Sequence, residues 1–351
     1  MPPSLSKSAI AGWAQFPLAV LATGIVGAGL CLLAGVDPLL AYSRLFEGAF
    51  GARYEIGETI VRAIPLAIVA LGVAPALRAG VFTIGSEGQL AIGAMTATAA
   101  VLAIGPAPAT VLIPVGMIAG AIGGMLWALI PALMRGYARV NEILSTLLLN
   151  YLGGYLLLWL LKYHLAIPEQ VATPRSSPYP DAAMLPNLWQ GTRLHWGVLL
   201  ALLAAGILAI WVRSVRGAAT DIFATHPGLA ARMGLSEVSA VMTTMLVAGA
   251  AAGITGWVQV AGLQGTLYPS VAGGLGFTGV LVALLGNLRP LGILLAALFF
   301  GALQSGAEGM QAGTGVPSAI AHVFEGMILL AATLILAMRQ RKLRRVVVEA
   351  S

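Results

Sequence analysis

The feature that most constrains this chain is a succession of apolar stretches, most of them about 20 residues long, separated by polar segments. A helix of about 20 apolar residues spans the hydrocarbon core of a bilayer. The ten stretches are residues 14–36, 59–77, 81–104, 110–134, 143–165, 196–212, 238–260, 277–286, 291–307 and 319–338. Only 9% of the 351 residues are charged, against roughly 25% in soluble proteins. The sequence therefore predicts an all-α, polytopic membrane protein with about ten transmembrane segments.

The distribution of positive charge orients the chain in the membrane. If both termini are cytoplasmic, thirteen Lys and Arg residues lie inside and six lie outside, as the positive-inside rule requires. The net charge of +6 is spread over short clusters rather than gathered in one patch, which argues against nucleic-acid binding. We therefore expect cytoplasmic termini, residues 166–195 outside and residues 213–237 inside.

Two polar segments between the apolar stretches are longer than simple turns. Residues 166–195 contain five prolines and either dock something or form a disordered connector. Residues 213–237 contain Pro227 and Gly234. Since Pro suits the first position of a helix and Gly the position after its end, this segment predicts a short helix of about two turns. A plain helical connector is the alternative.

The spans form two similar groups. The second to fifth spans (59–165) and the seventh to tenth (238–338) each have a Gly-rich interruption at their second member, at residues 80–93 and 262–279. Because five spans separate equivalent members, the two groups would have opposite orientations. Inverted repeats with broken helices are a common transporter architecture. Close helix packing also enriches glycine, so both interpretations of the interruptions remain open.

The sequence has no sign of a catalytic centre. None of the three lysines follows a glycine, so the phosphate-binding loop of nucleotide hydrolases is absent. The four histidines are scattered and form no recognisable metal motif, and no serine lies in a Gly-x-Ser-x-Gly elbow. We expect a transport protein without a cofactor of its own rather than an enzyme.

The sharpest local motif is Gly-Ser-Glu-Gly-Gln at residues 85–89. Ser86 followed three residues later by Gln89 is a capping-box pattern, so a helix is expected to begin near Ser86. That position is about 12 Å into the bilayer from Arg78, and a helix that begins there directs free N–H groups and a positive dipole end into the membrane. Glu87 is then an intramembrane carboxylate, whose burial is costly. It either lines a solute pathway or only braces the broken helix.

Other polar residues within the spans also have two interpretations. Thr146 and Asn150 are four residues apart and share one helix face, where they either hydrogen-bond a polar solute or join two helices. Gln259 stands beside the second Gly-rich interruption. His322 and Glu325 in the last span could form a proton relay, although a helix–helix hydrogen bond is the commoner use of such residues. A proton-coupled secondary transporter therefore remains open.

Four motifs occur in order along the chain. They begin at Ile84 (IGSEGQLAIGA), Asn141 (NEILSTLLLNY), Ala224 (ATHPGLAARMG) and Leu284 (LLGNLRPLG). Together they resemble the permease subunits of ATP-binding cassette (ABC) importers, in the ribose and branched-chain amino acid permease superfamily. The Glu-Gly-Gln sequence is similar to the simple-sugar and nucleoside branch. The resemblance extends over about residues 55–338, nearly the whole chain.

The resemblance implies partners and a location. Two permease subunits, here expected to form a heterodimer in a bacterial inner membrane, would sit on two cytoplasmic ATPases that use ATP and Mg²⁺. An extracytoplasmic binding protein would deliver the solute. By similarity, residues 225–234 would be the helix that couples the permease to the ATPase. The family often has Asn, Gly and Asn at the positions of Thr83, Ala224 and His226, so a solute contact and the start of the coupling helix are expected to differ in detail.

We therefore expect a permease subunit that passes a nucleoside or a simple sugar, with a proton-coupled secondary transporter as the alternative. The expected organisation is one permease domain over residues 1–351, with a first span (14–36), a first repeat (59–165), an extracytoplasmic loop (166–195), a coupling segment (213–237) and a second repeat (238–338). The residues expected to line the solute pathway are Ser86, Glu87, Gln89, Thr146, Asn150 and Gln259. Those expected to contact the ATPase are Thr225, His226, Pro227, Leu229, Ala230, Arg232, Met233 and Gly234.

Overall fold

The computed structural model describes residues 24–165 and 174–315, together with residues 323, 326 and 327. Regular structure in these residues is helical, apart from an isolated bridge between Asn187 and His195. The helices are α1 (Gly24–Leu33), α2 (Pro38–Phe50), α3 (Arg53–Arg78), α4 (Ser86–Ile104), α5 (Ala109–Ala138), α6 (Glu142–Tyr163), α7 (Gly197–Arg213), α8 (Val215–Thr225), α9 (Pro227–Arg232), α10 (Glu237–Gln259), α11 (Leu275–Leu285) and α12 (Pro290–Thr314), with a 3₁₀-helix at Asp181–Ala183 and a π-helix at Val260–Gln264. The predicted all-α class is thus confirmed for the described residues.

Among the described residues, six helices are long and apolar enough to cross a membrane: α3, α4, α5, α6, α10 with its π-helical continuation, and α12. The number rises to eight if each of two bent pairs is one span, α1 with α2 (115°) and α7 with α8 (70°). The chain is therefore a multi-pass membrane protein. The count of ten stays a prediction, because the expected last span (319–338) and the start of the first lie outside the described residues.

Two helices were not expected from the apolar stretches. Helix α2 begins after Asp37, whose carboxylate accepts a hydrogen bond from the N–H of Leu39 (2.9 Å), and Pro38 occupies its first turn. Helix α8 begins after Ser214, whose hydroxyl oxygen accepts from the N–H of Gly217 (3.2 Å). Both helices carry charged residues and are short, so a search for long apolar runs misses them, although their capping residues are visible in the sequence.

The chain divides into two compact units, residues 1–59 with 300–351 and residues 60–299. In the first unit, Cys31, Ala41 and Met310 are buried against one another. The thiol of Cys31 is buried and unpaired. Gly48 and Gly309 allow α2 and α12 to approach closely, since a Cβ on Gly309 would lie 2.5 Å from the Cα of Gly48.

The second unit is organised around the packing of α4, α5 and α10. Gly93 of α4 and Gly253 of α10 meet backbone to backbone, and a Cβ on Gly120 of α5 would lie 2.9 Å from the carbonyl oxygen of Gly253. Small residues allow such close packing of membrane helices. Part of the glycine content in residues 80–93 is therefore explained by helix packing, one of the two interpretations that the sequence left open.

The segments before α7 and before α10 lie at opposite ends of α10. At its start, Arg135 of α5 pairs with Glu237 (3.1 Å) and with Glu142 of α6 (3.1 Å). At its end, the N–H of Leu185 donates to the carbonyl of Ala261 (2.8 Å), and that of Tyr179 donates to the carbonyl of Gly265 (2.7 Å). The described part of the predicted outer loop, residues 174–195, is therefore an ordered cap on helices of its own chain.

His195 fills the space at the base of this cap. Its side chain is fully buried, and its Nδ1 accepts a hydrogen bond from the N–H of Gly197 (3.1 Å). A Cβ on Gly262 would lie 2.6 Å from the ring, so the ring rests directly on the π-helix backbone. Burial lowers the pKa of His195 to about 4. The imidazole is neutral at neutral pH, because a charge there would have no water around it.

Acidification is expected to destabilise the protein through His195. The pKa of an unfolded histidine is about 6.5, above the folded value, so the neutral ring stabilises the fold above about pH 6.5. This stabilisation is lost as the pH falls towards 4, and the loss at about pH 5 is about 2 kcal/mol. Melting temperatures of the detergent-solubilised wild type and His195→Asn at about pH 7.5 and about pH 5 test this. Asparagine can accept the same N–H but does not titrate, so its melting temperature should fall less; equal falls would contradict the prediction.

Candidate functional site

Helix α4 begins at Ser86, as the sequence predicted, but the capping box is wrong. The N-cap position is Gly85, which has no side chain to accept a hydrogen bond. Ser86 is the first helical residue, and its fully buried hydroxyl has no partner among the described residues. The side-chain oxygen of Gln89 is also buried without a partner. The start of α4 must therefore be stabilised by another part of the chain.

Asn150 of α6 supplies the cap for α4. Its Oδ1 accepts a hydrogen bond from the N–H of Gly88 (2.9 Å), and its Nδ2 donates to the carbonyl of Ile84 (2.9 Å). The helices touch here, since a Cβ on Gly88 would lie 2.9 Å from the Cα of Asn150. One turn earlier, Thr146 packs against Gly85 and donates its hydroxyl to the carbonyl of Glu142 (2.6 Å). In this conformation both polar residues of α6 serve the contact with α4.

Glu87 caps the start of α11, as Asn150 caps the start of α4. Its Oε1 accepts from the N–H of Gly274 (2.7 Å), and its Oε2 accepts from the N–H of Gly276 (2.8 Å). Gly274 is the N-cap of α11 and has a φ of 85°, which glycine adopts without strain. A Cβ on Gly276 would lie 2.5 Å from the Cα of Glu87, so only glycine fits there. The carboxylate braces the second Gly-rich interruption rather than its own helix.

The starts of α4 and α11 thus meet at one point, which we call the α4–α11 junction (Ser86, Glu87, Gly88, Asn150, Gly274 and Gly276). Each helix start carries roughly half a positive charge from its aligned peptide dipoles. Two such ends repel one another, and the negative charge of Glu87 lies between them and compensates both. A carboxylate at this depth is costly, but hydrogen bonds to both of its oxygens and two dipole ends offset the cost.

Three polar atoms near the α4 start have no partner among the described residues: Ser86 Oγ, Gln89 Oε1 and Gln259 Oε1. All three side chains are buried. Gln259 lies in the last turn of α10, one turn beyond Gly256, which packs directly on the backbone of α4 at Leu90. A buried polar atom without a partner costs about 1–3 kcal/mol. These three neutral groups could each gain a partner from a polar solute. Other neutral atoms, such as Trp257 Nε1 and Gln264 Oε1, are also buried without a partner in the described structure.

The helix of about two turns that the sequence predicted between Pro227 and Gly234 is present. Helix α9 runs over Pro227–Arg232, with proline at its first position, and Gly234 follows its end with a φ of 74°. Thr225 and His226 precede it, joined by a hydrogen bond between Thr225 Oγ1 and His226 Nδ1 (3.0 Å). The side chains of Leu229 and Met233 are 50% and 58% exposed, Arg232 is exposed, and Ala230 is buried. This segment therefore presents two apolar side chains away from its own chain.

Several contacts could not have been inferred from the sequence. Gly274 and Gly276 bind Glu87 across 187 and 189 residues, and Arg78 pairs with Asp221 across 143 residues. No local pattern marks such pairs. His322 and Glu325, considered above for a proton relay, lie outside the described residues. Within the described ranges, no group of three or more His, Cys, Asp or Glu residues could hold a metal ion.

The comparison with protein families identifies the chain. The family described as "Branched-chain amino acid transport system / permease component" matches residues 56–333. Since this match extends over more than half of the chain, the protein belongs to that family of permease components. The resemblance seen in its motifs is confirmed, and the protein is a transport subunit of the ABC class.

Curated relatives indicate which kind of ABC permease this chain is similar to. The chain is 33% identical to the glucose ABC transporter permease protein TsgB13 of Haloferax volcanii, covering 89% of this chain and 85% of that one. It is 33% identical to the guanosine ABC transporter permease protein NupP of Bacillus subtilis (90% and 91%), and 31% identical to the nucleoside ABC transporter permease protein NupB of Lactococcus lactis (89% and 88%). It also matches a second permease of each bacterium, NupQ at 28% and NupC at 22% identity. The relatives support an importer subunit and not the proton-coupled alternative.

Replacing Glu87 by glutamine is expected to destabilise the junction. Glutamine keeps one acceptor oxygen, loses one of the two hydrogen bonds, and removes the charge that compensates both helix starts. Hydrogen bonds to charged groups contribute about 1.5–3 kcal/mol, so the melting temperature in detergent should fall by several degrees. Glu47→Gln is the control, because Glu47 pairs with Arg44 on a surface where both side chains are about half exposed and such pairs contribute about 0–1 kcal/mol. Equal melting temperatures for both variants would exclude the bracing role.

Proposed function

We propose that this permease subunit passes an uncharged nucleoside or simple sugar across a bacterial inner membrane. The observation that carries the proposal is the set of unpaired, buried and neutral polar groups of Ser86, Gln89 and Gln259. Hydroxyls of a sugar or ribose lose water on entering a membrane and need donors and acceptors of this kind. The names of the relatives, which specify glucose, guanosine and nucleosides, support the same solute class.

The charge at the site favours an uncharged solute over an amino acid. Glu87 is the one ionisable side chain among the six predicted pathway residues, and both of its oxygens already accept hydrogen bonds from Gly274 and Gly276. A zwitterion would leave its ammonium and carboxylate groups without an opposite charge there, which is costly in a membrane. Ser86, Gln89 and Gln259 are therefore proposed to contact the solute, while Glu87, Thr146 and Asn150 hold the pathway helices in register.

The proposed topology has ten membrane segments in two inverted repeats, residues 59–165 and 238–338, within one permease domain whose termini are cytoplasmic. Three observations support it. The broken helices α4 and α11 meet start to start, as broken members of inverted repeats do in transporters. The segments before α7 and α10 lie at opposite ends of α10. The division of thirteen positive residues inside and six outside supports a cytoplasmic location for residues 213–237.

The proposed assembly contains a second permease subunit, cytoplasmic ATPases and an extracytoplasmic binding protein. A heterodimer is supported by the pairs of related permeases in two bacteria, NupP with NupQ and NupB with NupC. The sequence lacks a phosphate-binding loop, so ATP and Mg²⁺ would be used by the ATPase alone. Residues 225–234 are proposed to contact that ATPase through the exposed side chains of Leu229 and Met233.

Replacing Gln89 by leucine tests the solute site. The variant should lower uptake of the transported nucleoside or sugar by roughly 5- to 150-fold, the effect of losing about 1–3 kcal/mol of hydrogen bonding. Assembly with the partner subunits and the melting temperature should stay close to wild type, because no described protein group binds the Gln89 oxygen. Gln311→Leu on an exposed position of α12 is the matched control. Normal uptake by both Gln89→Leu and Gln259→Leu would refute the proposed site.

Replacing Leu229 by aspartate tests the coupling segment. If Leu229 is buried against the ATPase, a charge there should abolish co-purification of the ATPase and solute-stimulated ATP hydrolysis, while the permease stays folded. Val215→Asp is the matched control, because Val215 is an apolar residue with 87% exposure at the start of α8, outside residues 225–234. An ATPase that still co-purifies with Leu229→Asp and remains stimulated by solute would show that the contact lies elsewhere.

A further inference from the structure

A groove lined by both polar and apolar side chains separates α8 from the first two turns of α10. Its volume is about 320 Å³, within the range of about 300–1,000 Å³ typical of small-ligand sites. Arg216 and Thr220 line it from α8, and Ser236, Ser239 and Thr243 line it from the start of α10. Helix α8 turns away from α7 by 70°. If α7 spans the bilayer, α8 lies nearly parallel to the membrane surface, and the groove opens at the level of lipid headgroups.

The groove holds an uncompensated positive charge. Arg216 is exposed and makes no ion pair or hydrogen bond with any residue of the described ranges. The two nearby carboxylates are already occupied, since Asp221 pairs with Arg78 and Glu237 pairs with Arg135 (3.1 Å). No acidic side chain lines the groove. Any ligand there would therefore meet a cation and no anion.

Hydrogen-bond donors surround this charge. The oxygen of Ser236 accepts from the N–H of Ser239 (3.3 Å), which leaves the Ser236 hydroxyl proton free to donate outward. The hydroxyls of Ser239 and Thr243 make no hydrogen bond within the described structure, and they share with Ser236 one face of α10. The indole Nε1 of Trp211, which also lines the groove, is buried and has no acceptor. Unused donors thus line both walls of the groove.

We propose that this groove binds a phosphate group, either the headgroup of an anionic phospholipid or free phosphate. A phosphate oxygen accepts several hydrogen bonds at once, and an arginine is its preferred partner in proteins. Trp211 and Phe223 supply an apolar wall, and Trp is common at the headgroup level of membranes. The bound phosphate would bridge α8 and α10 and stiffen α8, which leads directly into α9. The site is independent of the transported solute.

The test compares the full-length chain carrying Arg216→Gln with Arg213→Gln. Arg213 is an exposed arginine at the end of α7 that does not line the groove, so it controls for the loss of one charge. Each protein is incorporated in vesicles of phosphatidylcholine with phosphatidylglycerol, then extracted, and the retained phospholipid is measured by mass spectrometry. In a second arm, delipidated protein is melted in phosphate and in chloride at equal ionic strength. Arg216→Lys keeps the positive charge. A loss seen with Arg216→Gln but not with Arg216→Lys is therefore due to the missing charge and not to a folding defect.

Three outcomes are possible. The ligand is a lipid headgroup if Arg216→Gln lowers the retained phosphatidylglycerol while Arg213→Gln and Arg216→Lys do not. The expected decrease is roughly fivefold, the effect of one cation near the membrane surface. If phosphate raises the melting temperature of the wild type and of Arg213→Gln but not of Arg216→Gln, the groove takes free phosphate. If neither effect appears, or if the two glutamine variants behave alike, the proposal is overturned.

Discussion

A helix that begins inside a membrane exposes backbone N–H groups to an environment that offers them no water, and the α4–α11 junction depends on meeting this constraint. Each helix start is capped by a side chain from another helix: Asn150 of α6 binds the start of α4, and Glu87 of α4 binds the start of α11. Neither start can shift without loss of hydrogen bonds. Three helices are thereby fixed to one another at a point where two positive dipole ends would otherwise repel.

The neutral groups that we propose to contact the solute lie near the same junction. Both oxygens of Glu87 accept hydrogen bonds from backbone N–H groups, so its charge serves the fold. The unpaired oxygens of Ser86, Gln89 and Gln259 are the ones that we propose for the solute. Close backbone contacts such as that of Gly93 with Gly253 keep the surrounding helices tightly packed. The pathway that we propose would accept hydroxyl-rich, uncharged molecules, which agrees with the solutes named for the related permeases.

Ion pairs hold several helix ends of the second unit together. Arg135 binds both Glu142 and Glu237, which ties the end of α5 to the starts of α6 and α10. Arg78 binds Asp221, which ties the end of α3 to α8. Helix α9 is therefore attached through α8 to the helices that lead to the junction. Motion imposed on its exposed apolar side chains would reach the membrane helices through these pairs.

The sequence by itself determined what local physics controls. Long apolar runs predicted membrane helices, and Pro227 and Gly234 predicted where α9 begins and ends, because these signals act within a few residues. Only the tertiary structure decided how the polar residues are used. The capping box at Ser86 was wrong because Asn150, 62 residues away from Gly88, supplies the cap, and Glu87 binds α11 rather than its own helix. Hydrogen bonds between remote residues depend on how helices pack, and packing leaves no periodic signal in a single sequence.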